Sequence, residues 1–531
     1  MNLFSSTPIE TQEGQFRRAL PFLAFAVPLA VYLALPAATL NSDGLKYWKL
    51  VHDRAWAPKF LPGHLLYCPL QTLLVKGGDA LLPHVSAVWW MRLVSQVSAA
   101  GSVCLVARTA KQMGLSIHGQ VLSASGVACS YGVWSQAIDI ETYAITLLCV
   151  AASMHAMASY SQRATLAKAA AMGLLNSLGA LFHLATITLV AASVVLIVLA
   201  NRFDYKRATR HVGAYLGVTL ACFVIPVAAI GFGVLRLRSF GEVVAWLGSS
   251  DHGYRVAFGT GSLLRALYGI ARNFLFLEFF WAAPRWLIAL KGACLLLAGA
   301  WFLWQVRRGP GRLTPATRDV LSSLLGFALL QALLGIYYFG SDSERWVFLT
   351  PWFCLLIASH SSIWPGRKKA IVVVAVTIVG AVNFGQAIWP SATDHLTEER
   401  LQALAPLVTN RTLVISPGDD WLAWYAFYLP SATPPEFLTL SELAVRHEHH
   451  PEELFTELEQ RIGEARHDGR KILLIRVLDA KENVKSSPWQ YLASLGHPPG
   501  SFRRWFEQYP WEVLYLSDPA QTRVDLLSQS E

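Results

Sequence analysis

The chain has 531 residues, of which 54% are apolar and only 15% are charged, and its formal net charge is +9 at pH 7. Water-soluble proteins carry about 25% charged residues, so this composition excludes an ordinary soluble protein and indicates lipid as the main solvent. The basic residues mark the ends of apolar segments, as the positive-inside rule describes, so we expect no nucleic-acid partner.

The first apolar segment, residues 19–40, is long enough to cross a bilayer, which takes about 20 helical residues. It follows Arg17 and Arg18 and lacks a clear small-residue cleavage site, so we interpret it as a retained span with a cytoplasmic N-terminus. Residues 41–83 then begin on the external side. The stretch 60–76 is an alternative span that the pattern leaves open.

The apolar pattern predicts eleven spans in a transmembrane domain of residues 1–389, with the C-terminus outside. A basic amphipathic helix at Leu263–Phe280 is predicted to lie in the interface, within an external loop at residues 235–283. The spans are expected near residues 19–40, 84–106, 115–134, 142–160, 169–182, 184–200, 212–234, 286–305, 319–339, 345–362 and 369–389.

Residues 390–531 are richer in charged residues and predict a small soluble α/β domain on the external side. Thr412–Ser416 and Lys471–Leu478 have the apolar runs of buried strands, and residues 417–420 predict a turn before a helix at 421–429. The domain has no glycine-rich phosphate loop, so we assign it no chemistry.

No metal site or cofactor is expected. All seven cysteines lie in or beside apolar segments without metal-ligand spacing. The histidines in HEHH, residues 447–450, occupy a charged stretch that lacks companion ligands.

Unusual polar residues gather where predicted spans meet the external face. Transporters instead place ionisable groups at mid-membrane and often contain repeated halves, and no repeat is evident here. We therefore predict one external cavity. Its candidate residues are Asp43, His52, Asp53 and Arg54 after the first span, Asp139 and Glu141 after the third, and Asp342, Glu344 and Arg345 after the ninth.

Asp43, in NSDGLKYWKL, has two interpretations. A carboxylate there can act as a general base for an attacking hydroxyl, a role worth about a hundredfold to ten-thousandfold in rate. Asp is equally a favoured N-cap residue for the helix that follows. The residues alone leave both interpretations open.

The segment YGVWSQAIDIETYA carries Trp134, Gln136, Asp139, Glu141 and Tyr143. Asp139 and Glu141 are two residues apart, so they point to different faces of a helix but to the same face of an extended chain. A cavity wall and an interfacial belt of aromatic and acidic residues both fit this segment.

His183 and Arg345 are the remaining candidates. A lone histidine between short apolar spans is either a hydrogen-bonded packing group or a functional residue. Arg345 opens a span from the external side, where its fork of donors suits a phosphate, although a snorkelling arginine has the same position.

These segments resemble the GT-C membrane glycosyltransferases, and within them the family of O-mannosyltransferases that modify plexin-type receptor domains, with its bacterial relatives. Leu45 and Lys46 stand where that family has an acidic residue, and Phe60 and Leu61 replace its His-Pro pair. The resembling pieces are SDG at 42–44, LPGHLLY at 61–67, VWSQAIDIETYA at 133–144, GLLNSLGALFHLAT at 173–186 and ERWVFLTP at 344–351.

The resemblance implies a GT-C fold and inverting transfer of a sugar, with mannose favoured, from a polyprenyl-phosphate donor. The acceptor would be a protein, lipid or glycan at the external face of a bacterial-type cytoplasmic membrane, among membrane lipids. Asp43 and Glu141 would be the catalytic acids, with Asp43 as base. The substrate-binding residues would be Trp134, Gln136, Tyr143, His183, His64, Arg345, Lys46 and Arg54.

Two other classes of function remain open at this point. A lipid-substrate transporter or flippase would use the same amphipathic cavity without depending on Asp43. A catalytically inactive scaffold would fit the altered first loop.

Overall fold

The computed structural model divides the chain into two compact units. The first contains residues 1–37 and 50–392, and the second contains residues 38–49 and 393–531. The structure describes residues 8–202, 204–248, 260–277, 291–293, 299, 313–337, 343–361, 364–417, 425, 427–429, 435–447, 451–475, 477–478, 492, 499–515 and 523–527.

The first unit is helical. We number the described helices along the chain, beginning with α1 Pro8–Ala34, α2 Ser42–His52, α3 Tyr67–Leu81, α4 Ala87–Gln112, α5 Ile117–Cys129, α6 Tyr131–Ile138, α7 Thr142–Gln162, α8 Leu166–Phe182, α9 Leu189–Ala200, α10 Tyr205–Ala228, α11 Phe240–Gly248, α12 Thr260–Phe274, α13 Pro315–Tyr337, α14 Thr350–Ser361, α15 Gly366–Asn383 and α16 Trp389–Thr393. Short 3₁₀ turns occupy Ala57–Lys59, Leu184–Thr188 and Ser343–Leu349, and π-helical turns extend α10 at Ala229–Val234 and α15 at Phe384–Ile388.

Within the described residues, six helical segments are long and apolar enough to cross a bilayer: Gly14–Ala34, Ala87–Gln112, Thr142–Gln162, Tyr205–Val234, Pro315–Ile336 and Gly366–Leu407. The chain is therefore a multi-pass α-helical membrane protein, as predicted. The count of eleven spans stays a prediction, since most of residues 286–305 lies outside the described residues. In the alternative span at 60–76, residues 60–66 are loop and only residues 67–76 are helical, as part of the 15-residue helix α3. At ~1.5 Å per residue α3 is shorter than the hydrocarbon core.

The predicted continuous span at 115–134 is wrong, because the helix breaks at Ser130. That residue has an extended backbone and separates α5 from α6. The buried side-chain amide of Asn383 donates to the Cys129 carbonyl, at 2.7 Å, and to the Phe274 carbonyl, at 2.8 Å. A break inside a bilayer needs such partners because no water is present to satisfy the freed backbone groups.

Small residues allow α8 and α10 to approach closely, as is common between membrane helices. A Cβ added to Gly173 would lie 2.6 Å from the Tyr215 carbonyl oxygen. Ser177 donates to the Thr219 carbonyl at 2.9 Å across the same contact. This packing positions the end of α8, where His183 lies.

Helix α12 is amphipathic, as predicted. Ala266 and Tyr268 are buried, while Leu263, Leu264 and Leu267 are at least half exposed. An outward apolar face beside basic residues is typical of a helix that lies in a membrane interface, and that location stays a prediction.

The second unit contains a five-stranded sheet. Its helices are α17 Leu396–Leu404, α18 Leu440–Arg446, α19 Pro451–His467 and α20 Pro499–Phe506. The strands are β1 Thr412–Ser416, β2 Glu436–Thr439, β3 Lys471–Ile475, β4 Trp511–Tyr515 and β5 Arg523–Leu527, in the spatial order β2-β1-β3-β5-β4. Strand β1 pairs in parallel with β2 and β3, and β5 pairs antiparallel with β3 and β4.

Strands β1 and β3 are buried on both faces, as their continuous apolar sequences predict, apart from the exposed Lys471 at the start of β3. Leu413 and Ile415 of β1 pack with the cluster that includes α19 and α20, while Val414 packs with Leu401 and other residues of α17. The strand predicted at 412–416 has those bounds, and the one predicted at 471–478 ends at Ile475. The helix predicted at 421–429 lies mostly outside the described residues.

Residues 38–49, predicted to belong to an external loop of the transmembrane domain, group with the second unit. Thr39 donates to the Asp394 carbonyl at 2.9 Å. The ring of Trp48 meets Phe427 edge to face, with centroids 5.0 Å apart. Helix α2 thus begins in the second unit and ends in the first.

Gly173→Ala is expected to lower the free energy of unfolding by about 1–3 kcal/mol, because the added methyl group collides with backbone of α10. The matched control is Gly217→Ala on α10, where nothing lies within 4 Å of the added Cβ. Thermal unfolding of both variants in detergent micelles checks this. Equal destabilisation of the two would contradict the packing argument.

Candidate active site

Loop residues 60–66 pair with the turn that ends α8, and this pairing brings two histidines together. The Leu184 amide donates to the Gly63 carbonyl and the Leu66 amide to the Leu181 carbonyl, both at 3.1 Å. The rings of His64 and His183 therefore meet edge to face, with centroids 4.7 Å apart. His64, predicted as a pocket residue from position alone, is a neighbour of His183.

His183 follows the last residue of α8 in an extended conformation and caps the 3₁₀ turn Leu184–Thr188. Its Nδ1 accepts a hydrogen bond from the Ala185 amide at 3.2 Å. The neutral ring therefore carries its proton on Nε2. Nε2 is buried and has no hydrogen-bond partner among the described residues.

His183 lies between two apolar helices and is 7% exposed. Burial, followed by the neighbouring His64 ring and the Arg345 guanidinium, lowers the pKa of His183 well below its ordinary value. The ring is thus neutral and offers a donor at Nε2 close to a permanent positive charge.

Tyr143 connects His183 to Arg345. Its ring lies 5.0 Å from that of His183 and stacks on Phe348, with centroids 5.8 Å apart and planes at 30°. The Nη1 of Arg345 donates to the Tyr143 hydroxyl at 3.4 Å. We call His64, Tyr143, His183 and Arg345 the histidine–arginine cluster.

Arg345 is held through its backbone. Gln331 on α13 donates to the Arg345 carbonyl at 3.2 Å, and the Gln331 side-chain oxygen accepts from Thr188 at 3.3 Å. The 3₁₀ turn that carries Arg345 is therefore connected to the one that His183 caps. Sequence patterns did not single out Gln331, although a lone glutamine within an apolar helix is a usable signal.

Asp139 and Glu141 lie in the extended link between α6 and α7, rather than in a helix. The Asp139 carboxylate accepts from the Ile140 amide at 2.7 Å. Glu141 is 1% exposed, and Ser95 of α4 accepts from its amide at 3.2 Å and donates to its carbonyl at 3.3 Å. The buried Tyr67 hydroxyl interacts electrostatically with the Glu141 carboxylate. Ser95 therefore holds this link through the backbone of Glu141, and the catalytic role predicted for the Glu141 carboxylate stays a prediction.

Gln136 and Trp134 have different surroundings. The Gln136 side chain donates to the Glu344 carboxylate at 3.5 Å, next to Arg345 in sequence. The described ring contacts of Trp134 are with Tyr32, at 6.2 Å, and Phe384, at 6.1 Å. Gln136 therefore contacts the turn that carries Arg345, while the ring of Trp134 packs against the rings of Tyr32 and Phe384.

Asp43 lies in the first turn of α2 but does not cap it. The Asn41 side chain accepts from the Gly44 amide at 2.6 Å, and the Asn41 carbonyl accepts from the Leu45 amide at 3.1 Å. The interpretation of Asp43 as the N-cap is therefore wrong, since Asn41 is the N-cap. Asp43 is partly exposed at a position where the helix dipole favours a carboxylate.

The predicted site residues are divided between the two compact units. Asp43 and Lys46 belong to the second unit, whereas Glu141 and the histidine–arginine cluster belong to the first. Lys46 and Arg54 are exposed. Asp342 lies outside the described residues.

Residues 448–450 of the HEHH segment also lie outside the described residues. The first histidine of that segment, His447, pairs with the Glu457 carboxylate at 2.6 Å.

Among the solved structures that are similar to this chain, several match it along nearly its whole length. The apo oligosaccharyltransferase of Archaeoglobus fulgidus is 11% identical, with a TM-score of 0.56, covering 97% of this chain and 75% of its own. ArnT of Cupriavidus metallidurans bound to undecaprenyl phosphate is 14% identical, with a TM-score of 0.56, covering 96% of this chain and 98% of its own.

The fold is that of the GT-C membrane glycosyltransferases. ArnT in its apo state gives the same result, with a TM-score of 0.54, 12% identity and coverage of 96% of this chain and 98% of its own. No family model matches the sequence, and no curated protein matches it either. The GT-C fold expected from the motifs is confirmed.

Asn41→Ala is expected to destabilise α2 by about 1 kcal/mol, because it removes the N-cap acceptor. Asp43→Asn should leave the cap intact. Hydrogen exchange at the amides of residues 44–46 measures the difference, and exchange should accelerate only in the Asn41 variant. Acceleration in Asp43→Asn alone would restore Asp43 as the cap.

Proposed function

We propose that this protein transfers a sugar from a polyprenyl-phosphate donor to an acceptor at the external face of the cytoplasmic membrane. The observation that supports it best is the fold shared over 96% of the chain with ArnT, a protein seen with undecaprenyl phosphate bound. The reaction needs a base for the acceptor hydroxyl and donors for the departing phosphate.

Asp43 is the proposed base. The acceptor hydroxyl oxygen attacks the anomeric carbon while Asp43 takes its proton, and the bond from that carbon to the lipid phosphate oxygen breaks. The electron pair leaves with the phosphate. A single displacement of this kind inverts the anomeric centre. Capping by Asn41 supports the assignment, because the Asp43 carboxylate has no capping role.

The histidine–arginine cluster is the proposed site for the phosphate. Arg345 supplies a permanent charge and a planar fork of donors that matches phosphate oxygens. Neutral His183 adds the Nε2 proton, Tyr143 contacts both His183 and Arg345, and His64 contacts His183. Charge that develops on the leaving phosphate is stabilised most where donors are fixed in advance and water is excluded.

Gln136 and Tyr143 are proposed to contact the sugar. Glu141 and Trp134 are proposed to shape the same sugar pocket by packing beside them. Lys46 and Arg54, both exposed, are proposed to meet the charged headgroup region of the donor. Mannose is favoured through the resemblance to the O-mannosyltransferases. The acceptor is a protein, lipid or glycan hydroxyl, and the second unit would lie on the external side.

Asp43→Asn is expected to lower sugar transfer by about a hundredfold to ten-thousandfold, the usual value of a general base. Transfer would be measured in membranes supplied with labelled polyprenyl-phosphate sugars at matched protein levels. Asp79→Asn, an exposed carboxylate on α3, is the control and should keep wild-type transfer. Lipid translocation without transfer, indifferent to Asp43, would instead indicate a flippase.

Arg345→Gln is expected to lower kcat/KM for the lipid-phosphate donor by about a hundredfold, since one fixed charge on the leaving group is lost. Arg345→Lys should lower kcat/KM less, because the positive charge remains and only the planar, bidentate donor geometry of the guanidinium is lost. Arg238→Gln, an exposed arginine of the predicted external loop, is the control. Equal activity of all three variants would remove Arg345 from the phosphate site.

A further inference from the structure

A single glutamine lies on the buried face of α13. Gln331 is 2% exposed, whereas Leu329 and Leu333, two residues to either side, are more than half exposed. A polar amide inside a membrane helix is costly unless it is hydrogen-bonded, so such a residue is a candidate for a specific role. Gly335 lies four residues later, on the same face of the helix. This face packs against the 3₁₀ turn that carries Arg345.

Both residues of this face contact the turn Ser343–Leu349. A Cβ added to Gly335 would lie 2.7 Å from the Trp346 ring, so the absence of a side chain lets that ring lie against the helix. Trp346 is among the largest fully buried side chains described. One residue earlier, the Arg345 carbonyl accepts from the Gln331 amide at 3.2 Å. The turn is thus held on α13 by ring packing and by a hydrogen bond.

The partners of the Gln331 side chain fix its orientation. The Arg345 carbonyl can only accept, so Nε2 must face it, because the flipped amide would bring two oxygens together. Oε1 then lies 3.3 Å from the Thr188 hydroxyl. That hydroxyl is also 3.0 Å from the Ala185 carbonyl, so the two acceptors share its one proton. Gln331 therefore bridges the turn of Arg345 and the turn that His183 caps.

This bridge connects the two groups that are proposed to hold the phosphate. His183 caps the turn Leu184–Thr188, and its carbonyl accepts from the Thr186 hydroxyl at 3.0 Å. The position of Thr188 is thus tied to that of His183. On the other side, Gln331 holds the backbone from which the Arg345 guanidinium extends. Donors whose spacing is fixed in advance stabilise developing charge without reorganising during the reaction.

We propose that Gln331 is a positioning residue for the phosphate site, and that its amide fixes Arg345 relative to His183. The inference rests on the proposed function of the histidine–arginine cluster, and all of its residues lie in the first compact unit. A guanidinium binds phosphate through two parallel hydrogen bonds, so its orientation matters as well as its charge. Loss of the bridge leaves the charge in place but releases its orientation.

Gln331→Met tests the proposal in the full-length protein, because methionine has nearly the same size and can neither donate to Arg345 nor accept from Thr188. Gln120→Met on α5 is the matched control. Gln120 is also buried, and its amide donates to the Leu115 carbonyl at 2.9 Å. Each variant therefore loses a buried hydrogen bond from glutamine to a backbone carbonyl, and only one of these bonds belongs to the cluster.

Two measurements are made on folded protein in detergent micelles. The first is the Kd for undecaprenyl phosphate, and the second is hydrogen exchange of residues 343–349. Thr188→Val and Thr188→Ser are measured beside Gln331→Met, because valine removes the hydroxyl that faces Gln331 and serine keeps it.

In Gln331→Met we expect the Kd to rise about 10-fold, since the bidentate hydrogen bonds of Arg345 to phosphate are no longer aligned. Exchange of residues 343–349 should rise about 10-fold as the turn loses its anchor. Thr188→Val should raise the Kd less, and Thr188→Ser should bind as wild type does. Gln120→Met should show neither change. In an Arg345→Gln background, Gln331→Met should weaken binding no further.

An unchanged Kd in Gln331→Met would overturn the proposal, and so would weaker binding without faster exchange of the turn. An equal loss of binding in Gln120→Met would reduce the effect to general stability and overturn it as well. Additive losses in the Arg345→Gln background would show that Gln331 acts independently of Arg345. If the wild-type protein neither binds undecaprenyl phosphate nor transfers sugar, the proposed function itself fails. The earlier outcomes, obtained with a wild-type protein that binds, overturn the positioning role alone.

Discussion

The constraint on which this structure depends is that backbone polar groups inside a bilayer must find partners within the protein. Regular helices meet it automatically, whereas every break in a helix leaves amides or carbonyls that side chains must satisfy. The Asn383 side chain donates to the Cys129 carbonyl at the break after α5. The Ser95 hydroxyl bonds to both the amide and the carbonyl of Glu141 in the link between α6 and α7. At the turn after α8, Thr142 and His64 both contact the Phe182 carbonyl, at 3.1 and 3.3 Å.

These breaks are also where the candidate functional groups lie. An unbroken membrane helix has no free backbone groups and can point only side chains outward, so a polar site needs turns. His183 caps one 3₁₀ turn and Arg345 lies in another, and Gln331 connects the two turns through Thr188 and the Arg345 carbonyl. The same hydrogen bonds thus satisfy the backbone and set the geometry of the cluster.

The sequence predicted the features that depend on local pattern. Apolar length indicated a polytopic membrane protein, and the continuous apolar run at Thr412–Ser416 defined both ends of a buried strand. Contacts between distant segments were not predictable in this way. Nothing local distinguishes Asn41 from Asp43 as a cap, since both are favoured residues two positions apart. Lys59 is likewise buried, and its ammonium group donates to the carbonyls of residues 50, 51 and 53, which come together only after α2 has folded.

The hydrogen bond from Thr39 to Asp394 and the contact of Trp48 with Phe427 have an evolutionary consequence. Thr39 and Trp48 of a short N-terminal segment contact residues of the C-terminal part of the same compact unit, although 355 positions along the chain separate Thr39 from Asp394. Residues 393–531 are therefore not an interchangeable module. A chimera that replaces residues 393–531 without residues 38–49 would give α2 a foreign partner, and substitutions in the two segments should covary among homologues.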